Sequence, residues 1–272
     1  MNIFTTLLIQ PLTNGLFFFY TFLGQNLGIA ILVFSVVLIY ALRPLTRPYM
    51  DSMKKIKDLA PQVNKLKKKY ANDKLGFSKA QAELYKQKGI NPAAGCLPYI
   101  FQIVILIALF NVFTTSLSPN SDTISKINNL LYSPLKLDQT HALNTKFLYF
   151  DVTKPDVFRL PGIPFPLPGL FLVLAAFAQF LSVKITAPYV EVEAKLAKKT
   201  ENKEDDMQVA MAKSMTYTMP LMTIFFGMSF PSGLALYWLI FSVVNVIQQV
   251  ATSGWGGLTP FINRLGLVKS PR

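Results

Sequence analysis

Between Arg47 and Ala94 the chain carries twelve Lys and Arg residues against four Asp and Glu, and charge-free runs bracket that block on both sides. No charged side chain precedes Arg43, and none lies between Lys88 and Asp122. A helix needs about 20 apolar residues to cross a bilayer, so the block reads as a loop between two membrane spans. Cytoplasmic loops are enriched in Lys and Arg, which places this one inside and orients the rest. A soluble nucleic-acid binder can share a pI near 9.7, but it does not set its basic face between two lipid-length runs. DNA is excluded as a partner.

Of the 272 residues, 51% are apolar and 15% charged, and the mean hydropathy is +0.37. That is a membrane composition. There is room for five spans, at 23–46, 95–116, 167–187, 214–229 and 233–251. The last two share one uncharged stretch, 214–263, too long for a single span. Phe230-Pro231-Ser232-Gly233 is a turn signal placed to divide it. Residues 1–22 show no basic n-region and no cleavage site, so no removable signal peptide is read there. Interrupted by Pro11, Asn14 and Gly15, they predict an interfacial amphipathic helix on the outer face; a sixth span is the alternative.

The expected architecture is therefore an all-α integral membrane protein. It has a five-helix core, a cytoplasmic basic hairpin at 47–94, an extracytoplasmic segment at 117–166, a cytoplasmic loop at 188–213 and a short cytoplasmic tail at 252–272. The 117–166 segment holds five basic and four acidic residues, and 184–213 holds six of each. Acids contribute little to orientation, so the first loop decides: N-terminus outside, C-terminus inside.

Within the basic loop, Ile56, Leu59, Val63, Leu66 and Tyr70 recur every three or four residues, one apolar stripe on a helix. Lys54, Lys55, Lys57, Lys65, Lys67, Lys68 and Lys69 are interleaved with it and form a candidate recruitment surface. Residues 71–74 break that helix. Ser78-Lys79-Ala80-Gln81 has the capping-box pattern and predicts the start of a second, with Ala80, Leu84 and Tyr85 on its apolar side. Gly89 predicts a left-handed cap, with Pro92 beyond. Two such helices make a helical hairpin. Anionic lipid headgroups attract basic side chains near the surface at about 1 kcal/mol each, and ribosomal RNA offers the same electrostatics.

Catalytic chemistry finds no support. The one cysteine, Cys96, excludes an intrachain disulfide and a Cys-rich metal site. The sole histidine, His141, lies in a loop. The spans offer no acid and no histidine, so no metal and no catalytic group are assigned. Phosphate-loop glycine patterns are missing as well, so no nucleotide and no cofactor are expected.

Three motifs then resemble something known. Pro44-Leu45-Thr46 leaves the first span, Asn91-Pro92-Ala93-Ala94-Gly95-Cys96-Leu97-Pro98 leads into the second, and Phe230-Pro231-Ser232-Gly233-Leu234-Ala235-Leu236-Tyr237-Trp238 opens the last, which ends in Ile247-Gln248-Gln249. In this order, around a basic hairpin, they resemble the YidC/Oxa/Alb family of membrane protein insertases over about residues 8–251. The resemblance implies a five-span core around a polar groove open to the cytoplasm, through which transmembrane segments of nascent proteins reach the bilayer without nucleotide hydrolysis. The expected form is minimal, without the large outer domain of some bacterial members, and the absence of a transit peptide favours a bacterial plasma membrane. Nascent membrane proteins and the lipid bilayer are the expected partners, with the ribosome and a Sec translocon left open.

Many members carry a groove arginine five residues before the proline that matches Pro44; here that position is Ile39. Arg43 is the nearest cation, one turn further along and on the same face of a continuous helix. It either acts from the groove mouth or snorkels to headgroups. Ser35, Gln102, Gln179 and Asn245 are the polar candidates for the groove, with interhelical hydrogen bonding as the competing reading. Met207, Met211, Met215, Met219 and Met222 form one stripe, suited to varied apolar partners or to ordinary packing. A small-solute or ion channel or transporter is the rival function. It would need paired charges near the midplane, and beyond Arg43 only Lys184 stands at a span edge.

Overall fold

Apolar residues succeed one another from Leu27 to Ala41 without a polar stripe, and the helix they form, α2, is apolar on every side. One face, with Leu27, Ala30, Ile31, Phe34 and Ile39, is buried by protein, while Ile29, Val37 and Tyr40 point outward. A helix that is apolar all round suits a lipid surround. The computed structural model describes residues 3–70, 73–89, 97–116, 123–140, 142–186 and 216–264. The chain divides into two compact units. One comprises Met1–Ala41, Ile100–Gln179 and Pro220–Val244; the other comprises Leu42–Tyr99, Phe180–Met219 and Asn245–Arg272.

In the first unit, α1 (Gln10–Phe22) lies against α2. Pro11 does not break it. A π-turn at Thr5–Ile9 precedes the helix, with the Gln10 amide donating to the Thr5 carbonyl, a wider loop that accommodates the proline's missing donor. The inner face buries Thr13, Asn14, Leu16, Phe17 and Tyr20, while Ile3, Leu7, Phe18 and Phe22 are exposed. Four further apolar helices come later in the chain: α6 (Leu97–Asn111), α8 (Leu170–Thr186), α9 (216–227) and α10 (Ser232–Ser253). Residues Ser232–Thr252 are long and apolar enough to cross a membrane, with mean hydropathy 1.7; Leu27–Ala41, Gln102–Thr114 and Leu170–Ile185 are shorter. The α9–α10 junction is the turn that Phe230-Pro231-Ser232-Gly233 predicts.

The 123–168 segment departs from the all-α expectation. After the short helix α7 (Thr123–Asn128) it forms two small antiparallel hairpins, β1 (Lys146–Phe147) with β2 (Phe150–Asp151) and β3 (Val157–Phe158) with β4 (Leu167–Pro168). This segment, the cap, is stitched to the starts of three apolar helices. At α2, the Leu27 amide donates to the Asn144 carbonyl at 2.9 Å, and Asn26 Nδ2 donates to the Lys146 carbonyl at 2.9 Å. Gly28 allows this approach, because a β-carbon there would overlap the Phe147 ring. At α10, the Ser232 and Gly233 amides donate to the Lys154 and Val152 carbonyls at 2.7 and 2.8 Å. At α8, the Leu172 amide donates to Asp156 Oδ2 at 3.1 Å, and the Gly169 amide to the Asp156 carbonyl at 2.7 Å. These are helix N-terminal amides that have no partner within their own helix, and a carboxylate suits the positive end of the α8 dipole. Asn14 adds a fourth tie from α1: its Nδ2 donates to the Leu130 carbonyl and its Oδ1 accepts from the Tyr132 amide.

In the second unit the basic stretch forms α3 (Arg43–Asp58), α4 (Ala60–Lys69) and α5 (Lys74–Gln87). Leu59, Val63 and Tyr85 are its buried cluster, with Ile56, Phe77 and Leu84 packed on them. The single helix expected to carry the apolar stripe is corrected to two: Ile56 lies on α3, Val63 and Leu66 lie on α4, and Leu59 is the turn between them, buried with Val63 and Tyr85. The expected start of the second helix is corrected: Asp73 is the N-cap, its Oδ1 accepting from the Gly76 amide at 2.8 Å. Asp at an N-cap satisfies an orphan amide as well as Ser does, and it comes first in the chain, so Ser78–Gln81 falls inside the helix. Gly89 has φ of 62°, the left-handed conformation expected of it.

Candidate functional site: polar side chains in apolar helices

Four apolar helices carry polar groups that the surrounding residues leave in different states. Ser35 is wholly buried on α2, and its hydroxyl donates to the Ile31 carbonyl of the same helix at 2.5 Å. It is satisfied locally and has no capacity turned toward a groove. Gln179 on α8 accepts from the Thr223 hydroxyl of α9 at 2.8 Å. Such a bond between helices contributes about 0.6–2 kcal/mol in a membrane. Gln102 on α6 accepts from the Tyr237 hydroxyl of α10 at 3.2 Å, with Tyr237 only 1% exposed. Its Nε2 is buried and has no hydrogen-bond partner among the described residues. An unpaired buried donor costs about 1–3 kcal/mol, so Gln102 carries buried, unused bonding capacity.

Gln102 and Gln179 thus each join two helices of the first unit, but by separate bonds with separate partners. In the second unit, Asn245 is half-buried and Arg43 is exposed. Arg43 does not continue α2. That helix ends at Ala41, Leu42 is a turn, and α3 begins at Arg43. Pro44 supplies the reason, since it has no N–H to bond to the preceding turn. Ile39 itself is buried.

Lys184, on α8, lies 5.8 Å from the Phe180 ring centroid and 6.0 Å from that of Tyr217. Two ring faces favour a cation in a low-dielectric setting. On α10, Gln248 Nε2 and Gln249 Oε1 are also buried without a hydrogen bond among the described residues. In the hairpin, Lys54, Lys55, Lys65, Lys68 and Lys69 are exposed; Lys57 and Lys67 lie on the same helices, their side chains outside the described set. Met219 and Met222 are exposed on α9, while Met207, Met211, Met215, Cys96 and His141 lie outside the described residues. Among those described, no group of three His, Cys, Asp or Glu side chains could hold a metal ion.

Three functional groups escaped the sequence reading: Tyr237, Thr223 and Asp156. Tyr237 and Thr223 stand in apolar runs and could have been flagged as polar tips needing partners. Asp156 could not, because its target amide is Leu172, sixteen residues on and across a hairpin.

A family model described as 60Kd inner membrane protein matches residues 18–255. A protein named membrane protein insertase YidC from Fusobacterium nucleatum subsp. nucleatum is 33% identical over 224 residues, covering 82% of this chain and 84% of that protein. Proteins of the same name from Leptospira interrogans and Rickettsia akari are 31% and 29% identical, over 89% and 88% of this chain. The chain spans about a third of the length of those two relatives, 34% and 37%.

Proposed function

Because the chain belongs to the 60Kd inner membrane protein family, that of the YidC insertases, we propose that it is a membrane protein insertase. It moves transmembrane segments of nascent proteins from the cytoplasm into the bilayer and hydrolyses no nucleotide in doing so. The observation that supports the mechanism is Gln102 Nε2, buried within an apolar helix and without a hydrogen-bond partner among the described residues. A polar substrate flank crossing the hydrocarbon pays about 2.5–3.5 kcal/mol per charge on insertion scales. Side-chain amides at depth offset part of this by giving the flank, or the water around it, hydrogen-bond partners. Gln102 and Gln179 supply this polarity in the first unit, and Asn245 and Arg43 act on the substrate from the second. The five apolar helices α2, α6, α8, α9 and α10 span a bacterial plasma membrane, with the N-terminus outside and the hairpin in the cytosol. The exposed hairpin lysines recruit the substrate or its ribosome to the membrane surface.

Reconstitution tests the reading. Purified protein in liposomes, given a short two-span substrate and no nucleotide, is expected to render that substrate protease-protected. Protection equal to that of protein-free liposomes would contradict it, and ion flux in place of protection would favour a channel. In the same assay, replacing residues 50–90 by a short Gly/Ser linker is expected to leave the protein folded and insertion weak. Arg43→Ala is expected to reduce insertion most for substrates with acidic flanks.

A further inference from the structure

The hairpin of β3 and β4 has an unusual tip. Residues 158–166, Phe-Arg-Leu-Pro-Gly-Ile-Pro-Phe-Pro, are all exposed, and four of them are large and apolar: Phe158 at 44%, Leu160 at 50%, Ile163 at 38% and Phe165 at 62% exposure. Water disfavours such a cluster, yet nothing in the tip turns these side chains inward. The backbone is equally suited to leaving water. Pro161, Pro164 and Pro166 have no N–H to hydrate, and the Ile163 amide is already donated to the Leu160 carbonyl. Hydrocarbon penalises unpaired backbone donors, and this tip has shed or paired half of those in its eight residues 159–166. The tip carries one charge, Arg159, at its base.

The neighbouring helix α8 fixes the position of this tip. Two residues past the tip, β4 runs through Gly169 into α8, whose exposed face consists of Leu170, Val173, Leu174 and Phe177, spaced as one helical side. That face meets lipid in any membrane-spanning reading of α8. The base of the hairpin cannot swing away from it, because Asp156 holds the Leu172 and Gly169 amides and the Tyr149 ring stacks between Phe158 and Phe171 at 5.5 and 5.8 Å. The base of the tip is therefore tethered at the start of α8, whose exposed face is apolar.

We infer that residues 158–166 form a wedge that dips into the leaflet on their own side of the bilayer, with Leu160, Ile163 and Phe165 among the acyl chains and the Arg159 guanidinium at the phosphates. A protein partner on this surface is the competing occupant. The lipid is favoured by the tether of the hairpin base to the start of α8, where the exposed apolar face of that helix begins, and by the placement of a single cation behind the apolar residues, the arrangement of a side chain reaching back to headgroups.

Nitroxide accessibility decides between them. In a Cys96→Ala background, Leu160→Cys and Ile163→Cys are spin-labelled in the full-length protein in lipid nanodiscs, with Asp138→Cys as the exposed aqueous control and Phe177→Cys as the lipid control. The wedge predicts that the tip labels collide with dissolved oxygen as the Phe177 label does and lose most of their collision with a water-soluble nickel chelate. Adding Phe165→Asp is expected to extract the tip and restore nickel collision at position 163. Nickel access equal to that of the Asp138 label would overturn the proposal. So would low access to both reagents, which marks a surface covered by protein.

Discussion

The cap at 123–168 and the hairpin of α3, α4 and α5 are both connections between apolar helices, yet different forces hold them. The cap is fixed by hydrogen bonds that reach from its backbone and from Asp156 to the starts of α2, α8 and α10. The hairpin is held by a small apolar cluster of Leu59, Val63 and Tyr85 contributed by its own helices. The hydrophobic effect organises a segment surrounded by water. Where lipid surrounds the helices, apolar burial discriminates little between protein and solvent, and packing and hydrogen bonds decide. The cap therefore fixes where three apolar helices begin, while the hairpin has a core of its own.

The largest effect that would break this contrast is expected at Asp156. Asp156→Ala removes the acceptor of the Leu172 amide and of the Tyr149 hydroxyl. The buried Leu172 amide left without an acceptor costs about 1–3 kcal/mol, and the bond lost from the half-exposed Tyr149 adds about 1 kcal/mol, so a loss of about 3 kcal/mol is expected. Thermal unfolding in detergent measures it, and amide exchange should rise at the α8 start and not within 56–87. Val63→Ala is the mirror test. Deleting two buried methyl groups should cost about 2 kcal/mol, with faster exchange confined to α4 and α5. Matching exchange changes in both regions from either variant would erase the contrast.

A smaller effect sharpens the picture of the cap. Burial, and then the hydrogen bond donated to Asp156, push the Tyr149 hydroxyl from its ordinary 10.0 up to about 12. A raised pKa means the folded state favours the protonated phenol. Its contribution is fully present below pH 10.0 and is lost as the pH rises through about 12. Phenolate absorbance during a base titration should show a late-titrating tyrosine that Tyr149→Phe removes.

How much of the molecule was legible in the sequence divides along the same line. The hairpin core was readable because its residues lie at helical spacing within one short stretch, and Gly89 marks its own turn. The turn at Leu59 that divides the first helix was not read, and the N-cap of α5 was misplaced, since Asp73 and Ser78 both have the right chemistry. The strands of the cap were not readable. Two residues are too few to display an alternating pattern, and their stability comes from helix ends far away in sequence. At the site, Gln102 and Gln179 stood out as polar residues in apolar runs. Their partners Tyr237 and Thr223 lie 135 and 44 residues distant, and no local pattern links such pairs. The break at Leu42 was signalled by Pro44 and under-read.

Passage of substrate flanks is eased, on this account, by polar side chains at depth. The direct measurement is insertion by the Gln102→Leu/Gln179→Leu variant in proteoliposomes, using one substrate with a charged flank and one with a neutral flank, with folding checked by thermal unfolding. The prediction is a marked loss for the charged flank and near-parent insertion for the neutral one. Equal insertion of the charged-flank substrate by the folded variant and the parent would contradict the account.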